Sequence, residues 1–133
     1  MMAPGKRSGP NIVDSSAWLE YFADGAGAPH FAAPIEAVGR LVVPAICLLE
    51  VFKAVLRQRG ESDALQAAAL MQQGTVVDLD ATLALAAATH KLPLADSIVY
   101  ATAMRVGGVV WTQDQDFKGL PDVAYFPKSA RTS

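Results

Sequence analysis

Four short runs rich in β-branched and other apolar residues punctuate the chain: Asn11–Val13, Leu41–Val43, Thr75–Leu79 and Val109–Thr112. Stretches with helical patterning separate them, and the connections are short. Parallel strands need long crossovers, usually helices, and those helices must bury an apolar face against the sheet. The alternation therefore predicts an α/β fold with three layers, α/β/α, around a central, mainly parallel sheet of four to five strands. Val123–Phe126 reads as the short edge strand that would make the fifth.

Six helices are expected between these runs. Ser15 or Ser16 can cap one over Ala17–Ala23, which Gly25-Ala-Gly27 breaks. A weaker helix starts at Pro29 and runs to about Arg40, and Pro44 stops the second strand. Ala45–Arg59 is a strong helix ended by Gly60, with Ile46, Leu49, Phe52 and Leu56 as an apolar stripe beside Glu50, Lys53 and Arg57. Ser62–Gln73 is Ala-rich and opens on Ser62 as cap, and Thr82–Lys91 is helical again. The last helix opens on Pro93, suited to a first turn that needs no N–H, and ends at Gly107-Gly108.

A chain of 133 residues is one domain, placed here over residues 11–127, with a mobile tail at 1–10 and a polar C-terminal tail at 128–133. The longest apolar run, Leu41–Leu49, is too short to span a bilayer, and residues 1–11 hold no apolar signal region. Cys47 is the single cysteine, so no internal disulfide forms, and a small buried hydrophobe in a reducing cytoplasm is the expected role. A net charge of −2 does not advertise a nucleic-acid binder. The negative sign, however, comes from acids placed at element ends, and the rest of the chain is mildly basic.

Those acids carry the chemistry. Asp14 follows Asn-Ile-Val, Glu50 stands among Leu48, Leu49, Val51 and Phe52, Asp96 lies in the first turn after Pro93, and Asp114 and Asp116 follow Val-Val-Trp-Thr. An acid in a first helical turn also complements the helix dipole, so Asp96 alone would signify little. In open α/β sheets, though, ligands gather at the carboxyl ends of strands, where Asp14 and Asp114 fall. Crowded carboxylates repel unless something cationic binds or some take up protons. A hard divalent cation with a preference for oxygen resolves this, whereas two histidines and one cysteine, widely spaced, make no zinc set. Mg²⁺, or Mn²⁺ in its place, so held activates water and stabilises charge on a phosphodiester.

Ile-Val-Asp14-Ser-Ser, Val-Pro-Ala-Ile-Cys-Leu-Leu-Glu50-Val, Leu-Pro-Leu-Ala-Asp96-Ser and Thr112-Gln-Asp114-Gln-Asp116-Phe resemble, in order and spacing, the acidic motifs of the PIN domain. The likeness is greatest to VapC-type toxins of bacterial toxin–antitoxin pairs and covers roughly residues 11–127. It implies a PIN-like fold and a Mg²⁺- or Mn²⁺-dependent endoribonuclease in the cytoplasm. It further implies a homodimer, inhibited by a small cognate antitoxin. Carried over by position, Asp14, Glu50, Asp96 and Asp114 match the family's metal-binding, catalytic acids. Asp116 matches a further acid, and Ser15 and Thr112 match hydroxyls that order the metal site. Two features depart from the pattern: eleven residues precede Ile12, and Phe52, Lys53 and Ala54 stand where the family often has a polar residue.

Lys53, Arg57 and Lys118, with Arg59 and Lys91, are candidates for holding RNA phosphates, against the plainer reading of solvated charge. Asp78 and Asp80 read as capping or turn residues, His90 as a helix-end residue and His30 as a loop or first-turn residue. Trp18 and Trp111 follow core patterns. Two alternatives to a ribonuclease are an inert PIN-like binding domain and a receiver-like regulatory module that binds Mg²⁺. The receiver pattern of paired acids on the first strand with a late strand-end lysine is not evident here.

Overall fold

A computed structural model describes residues 9–129. Five strands, β1 (Asn11–Val13), β2 (Leu41–Pro44), β3 (Thr75–Val77), β4 (Val109–Thr112) and β5 (Val123–Tyr125), form one sheet in the order β3-β2-β1-β4-β5. Every pairing is parallel, with Ile12 opposite both Val42 and Val110. Six helices connect them: α1 (Ser15–Phe22), α2 (Ala28–Glu36), α3 (Ala45–Arg59), α4 (Glu61–Met71), α5 (Ala81–Ala87) and α6 (Leu94–Val106). The strand order runs outward from β1 to β3, then returns to β4 on the other side of β1. Right-handed crossovers place α1–α4 on one face and α5–α6 on the other, giving the three-layer α/β/α architecture expected.

The core is continuous through the sheet. Ile12, Val13, Val43, Val99 and Val110 are fully enclosed, with Trp18, Phe31 and Phe117 as its largest members. A smaller cluster, Leu83, Ala87, Ile98 and Ala101, seals α5 against α6. The bidentate pair from Arg105 to Asp80, at 3.0 and 3.1 Å, ties the end of α6 to the start of α5. Helix α6 ends in a Schellman turn, with Gly107 N–H donating to Met104 O and Gly108 N–H to Ala103 O. Gly107 takes φ 67°, where a side chain would be strained, and Gly108 N–H is thereby turned back as β4 begins.

Several local expectations are corrected. Helix α1 is capped by Asp14, whose Oδ2 accepts from Ser16 N–H, and not by Ser15 or Ser16. Helix α4 starts at Glu61 behind Gly60, with no cap bond from Ser62. Helix α2 stops at Glu36, and a separate 3₁₀ turn covers Val38–Arg40. Helix α5 is shorter than Thr82–Lys91 and is capped by Asp80, whose Oδ1 accepts from Leu83 N–H at 2.8 Å. Pro44 lies within β2 rather than beyond it, while β3 ends at Val77 instead of Leu79 and β5 at Tyr125. On α3 the buried face is Cys47, Val51 and Val55; Leu49 is 59% exposed and Leu56 43%. The expected tails fall partly outside the described residues. Within them, Pro10 O accepts from Val109 N–H and Gly9 O accepts from Arg40.

Trp18 is fully buried and its Nε1–H has no partner among the described residues. An unsatisfied buried donor costs about 1–3 kcal/mol. Trp18→Phe deletes that donor but also leaves a small cavity, and is expected to lose less than about 2 kcal/mol in chemical denaturation, the relieved donor offsetting part of the packing loss. Phe31→Ala, which only leaves a cavity, is expected to lose about 3–5 kcal/mol.

Candidate metal centre

The sheet order places its switch point between β1 and β4, where an open crevice forms beyond the strand ends. Asp14 leaves β1 at this crevice and Asp114 leaves β4. Helix α6 packs against β1, β2 and β4, so its first turn delivers Asp96 to the same rim. A 3₁₀ turn, Gln115–Phe117, anchored by fully buried Phe117, carries Asp116. Carboxylate oxygens of Asp96, Asp114 and Asp116 all lie within 4.8 Å of one another.

Asp14 is held by hydroxyls. Its Oδ2 accepts from Thr112 Oγ1 at 3.0 Å and from Ser16 Oγ at 2.8 Å. Thr112 Oγ1 in turn accepts from Asp114 N–H at 2.9 Å, and Asp114 Oδ1 accepts from Asp116 N–H at 2.9 Å. A chain of short bonds thus runs from the end of β1 across to the loop after β4. Thr112 joins Asp14 and the Asp114 backbone through one hydroxyl. Ser15 does not touch this chain; its Oγ donates to Glu50 Oε1 at 2.6 Å. Glu50 therefore adjoins Asp14 through its sequence neighbour and stands outside the three-carboxylate group. Exposed Lys53 and Arg57 continue Glu50's side of α3, and exposed Lys118 follows the Gln115–Phe117 turn.

Ser16 is the residue that sequence reasoning took only for a helix cap. Its hydroxyl bonds Asp14, lies 3.2 Å from Thr112 Oγ1 and accepts from Gln113 N–H at 3.3 Å. A hydroxyl two residues beyond a strand-end acid is the sequence signal that marks it. Of the other candidates, His30 lies within α2 and stacks on Phe126, His90 packs edge-on to Tyr100, and Trp111 Nε1–H donates to Asn11 Oδ1.

The electrostatics are those of crowded like charges. Burial pushes the Asp96 carboxyl up to about 8, and the charges of Asp114, Asp14 and Asp116 add to the rise. Burial also raises Asp14, the hydroxyl bonds from Ser16 and Thr112 pull it back in part, and the Asp114 charge raises it again. The Cys47 thiol is pushed far up, first by burial and then by the Asp14 charge. A donor set of oxygens alone, with anions forced together, fits a hard divalent cation held by one or two carboxylates and water. Neither histidine nor Cys47 joins the three-carboxylate group.

Asp96 ionises near its ordinary 3.8 in the unfolded chain and near 8 in the folded one. The folded protein thus binds more protons across that window, and its stability falls as pH rises. Asp14 contributes with the same sign. Denaturant titration in EDTA at about pH 5 and about pH 8 is expected to show the metal-free protein less stable at the higher pH, and Asp96→Asn to reduce the difference.

No curated protein matches this chain closely enough to count as a relative. Among solved structures, a toxin–antitoxin complex from Klebsiella pneumoniae superposes with a TM-score of 0.73 at 20% identity, covering 89% of this chain and 99% of that one. VapC20 of Mycobacterium tuberculosis, a toxin that cleaves the Sarcin-Ricin loop, gives 0.70 at 21% identity, covering 85% and 96%. DNA-bound VapBC of Salmonella typhimurium gives 0.66 at 14% identity, covering 90% and 98%. Likeness at such identities is one of fold. The sequence pattern of the PIN domain matches residues 12–123, most of the 133, and the chain belongs to the PIN domain family.

Proposed function

We propose that this PIN domain is a Mg²⁺- or Mn²⁺-dependent endoribonuclease, the toxin of a toxin–antitoxin pair, acting in the cytoplasm on a single-stranded or loop RNA. The observation that carries the reading is the convergence of Asp14, Asp96, Asp114 and Asp116 on the switch-point crevice. Support comes also from the company of similar folds: one is a toxin that cleaves the Sarcin-Ricin loop and two are toxin–antitoxin assemblies. A small antitoxin and a second copy of the chain are the proposed partners. Among the described residues no helix is long and apolar enough to cross a membrane. Membership of the PIN family sets the receiver-like alternative aside.

The proposed ligands are Asp14, Glu50, Asp96 and Asp114, with Asp116 beside them. A dication bound there would supply a Lewis acid and a more acidic water for attack on phosphorus. The protein's own part is positional. The hydrogen bonds that hold the Asp14 side chain all fall on Oδ2, and Oδ1 is the oxygen proposed to face the metal. Thr112 fixes Asp14 and the Asp114 backbone with one hydroxyl, so the carboxylates from β1 and β4 keep a set separation. Ser15 restrains Glu50 in the same manner. Lys53, Arg57 and Lys118, all exposed, are proposed to hold RNA phosphates, which would make binding weaken with salt.

Incubation of a mixed RNA pool with purified protein and Mg²⁺, Mn²⁺ or EDTA tests the reading. Cleavage at few sites is expected with either metal and none with EDTA. Asp14→Asn and Asp96→Asn are each expected to slow it by about a hundredfold or more. Unimpaired cleavage by both variants would refute the metal centre. No cleavage by the wild type under any condition would favour an inert binding domain.

A further inference from the structure

A groove of about 760 Å³ opens beside the acid centre, running from Ser16 and Asp114 past Glu20 and Gln113 to Gln58 and Lys128. Its size suits a nucleotide-sized ligand. Its end at Asp114 is the carboxylate cluster itself, so whatever lies in the groove is joined to what reacts at the cluster. At its centre is a side chain the acid centre does not use. Gln113 precedes Asp114, and both ends of the residue are pinned: its N–H donates to Ser16 Oγ, and its side-chain Nε2 donates to Glu20 Oε1 at 3.3 Å.

Glu20 is built to do this pinning. Its side chain is only 11% exposed. Oε2 accepts from Gly27 N–H at 2.8 Å, and Lys128 Nζ stands 3.7 Å from Oε1. The Ala23–Gly27 loop lays its backbone directly on this carboxylate, since a Cβ at Gly25 would collide with Oε1 and Oε2. The pair Gly25-Ala-Gly27 thus marks a close approach as well as the end of α1. A carboxylate only accepts, so Glu20 dictates which face of the Gln113 amide is nitrogen. Among the described residues the second amide N–H and the Oε1 carbonyl, which lies beside Gly27, form no hydrogen bond and leave a donor next to an acceptor.

We propose that this groove seats the nucleotide flanking the scissile phosphate and that Gln113, oriented by Glu20, reads its base. The inference rests on the ribonuclease reading and names the part of the RNA that the site distinguishes. A donor and an acceptor side by side complement the polar edge of an unpaired base, where an N–H lies beside a ring nitrogen or a carbonyl. Gln113 is thus the specificity-determining residue and Glu20 a positioning residue.

The test is sequencing of the cut sites in a random-sequence single-stranded RNA pool with Mn²⁺, for wild type, Gln113→Ala and Glu20→Gln. Wild type is expected to favour one base at one position next to the cut. Gln113→Ala is expected to reduce that preference by about tenfold, with preferences at other positions unchanged. Glu20→Gln is expected to weaken the same preference without changing the Mn²⁺ concentration needed for half-maximal rate. Should Gln113→Ala fail to fold, Gln113→Met keeps the volume and serves in its place. Cleavage with no base preference beside the cut, or with a preference the Gln113 variants leave unaltered, overturns the reader but not the nuclease. A wild-type protein that cuts no RNA overturns both.

Discussion

Like charges pressed together at one edge of a parallel sheet are the constraint that the rest of this fold serves. Asp14 and Asp114 leave adjacent strands in the same direction, and α6 adds Asp96 between them. Left to water these groups would separate. They are kept close by bonds that do not involve a cation: Thr112 and Ser16 to Asp14, Thr112 to the Asp114 backbone, and Ser15 to Glu50. The apolar body of α6 and fully buried Phe117 fix the remaining two acids from behind. Asp14 also caps α1, so the start of that helix and the acid centre share one carboxylate.

A good deal of this was legible in the sequence. Short β-branched runs alternating with helical stretches yield a parallel, two-sided sheet with little ambiguity, because the crossover rules leave few other arrangements. Asp14, Asp96, Asp114 and Asp116 were likewise visible from their places at element ends, Glu50 from its apolar neighbours, and Thr112 only through the resemblance to the PIN motifs. The pairing of hydroxyls was not. Ser15 and Ser16 are equivalent in sequence, and only the first turn of α1 decides that Ser15 faces Glu50 while Ser16 faces Asp14 and Thr112.

Helix α3 shows a different kind of failure. Ile46, Cys47, Leu48, Leu49, Val51 and Phe52 are so uniformly apolar that two overlapping stripes fit the same window. Tertiary packing, not periodicity, chose Cys47, Val51 and Val55, and left Leu49 and Leu56 in solvent. Glu20 was hidden for another reason. It looks like an ordinary helical acid until the chain turns back and lays Gly25 and Gly27 over it.

The hydrogen bond between Thr112 and Asp14 joins residues 98 positions apart, and β1 lies between β2 and β4 in the sheet. Non-local pairings of this kind close late, after the entropy of bringing distant segments together has been met. During synthesis the chain emerges N-terminus first. Asp14 is on the outside of the ribosome long before β4 exists, and through that interval β1 has a neighbour on one side only. The carboxylate cluster is therefore absent from the growing chain, and any activity it has begins only after nearly the whole domain has been made.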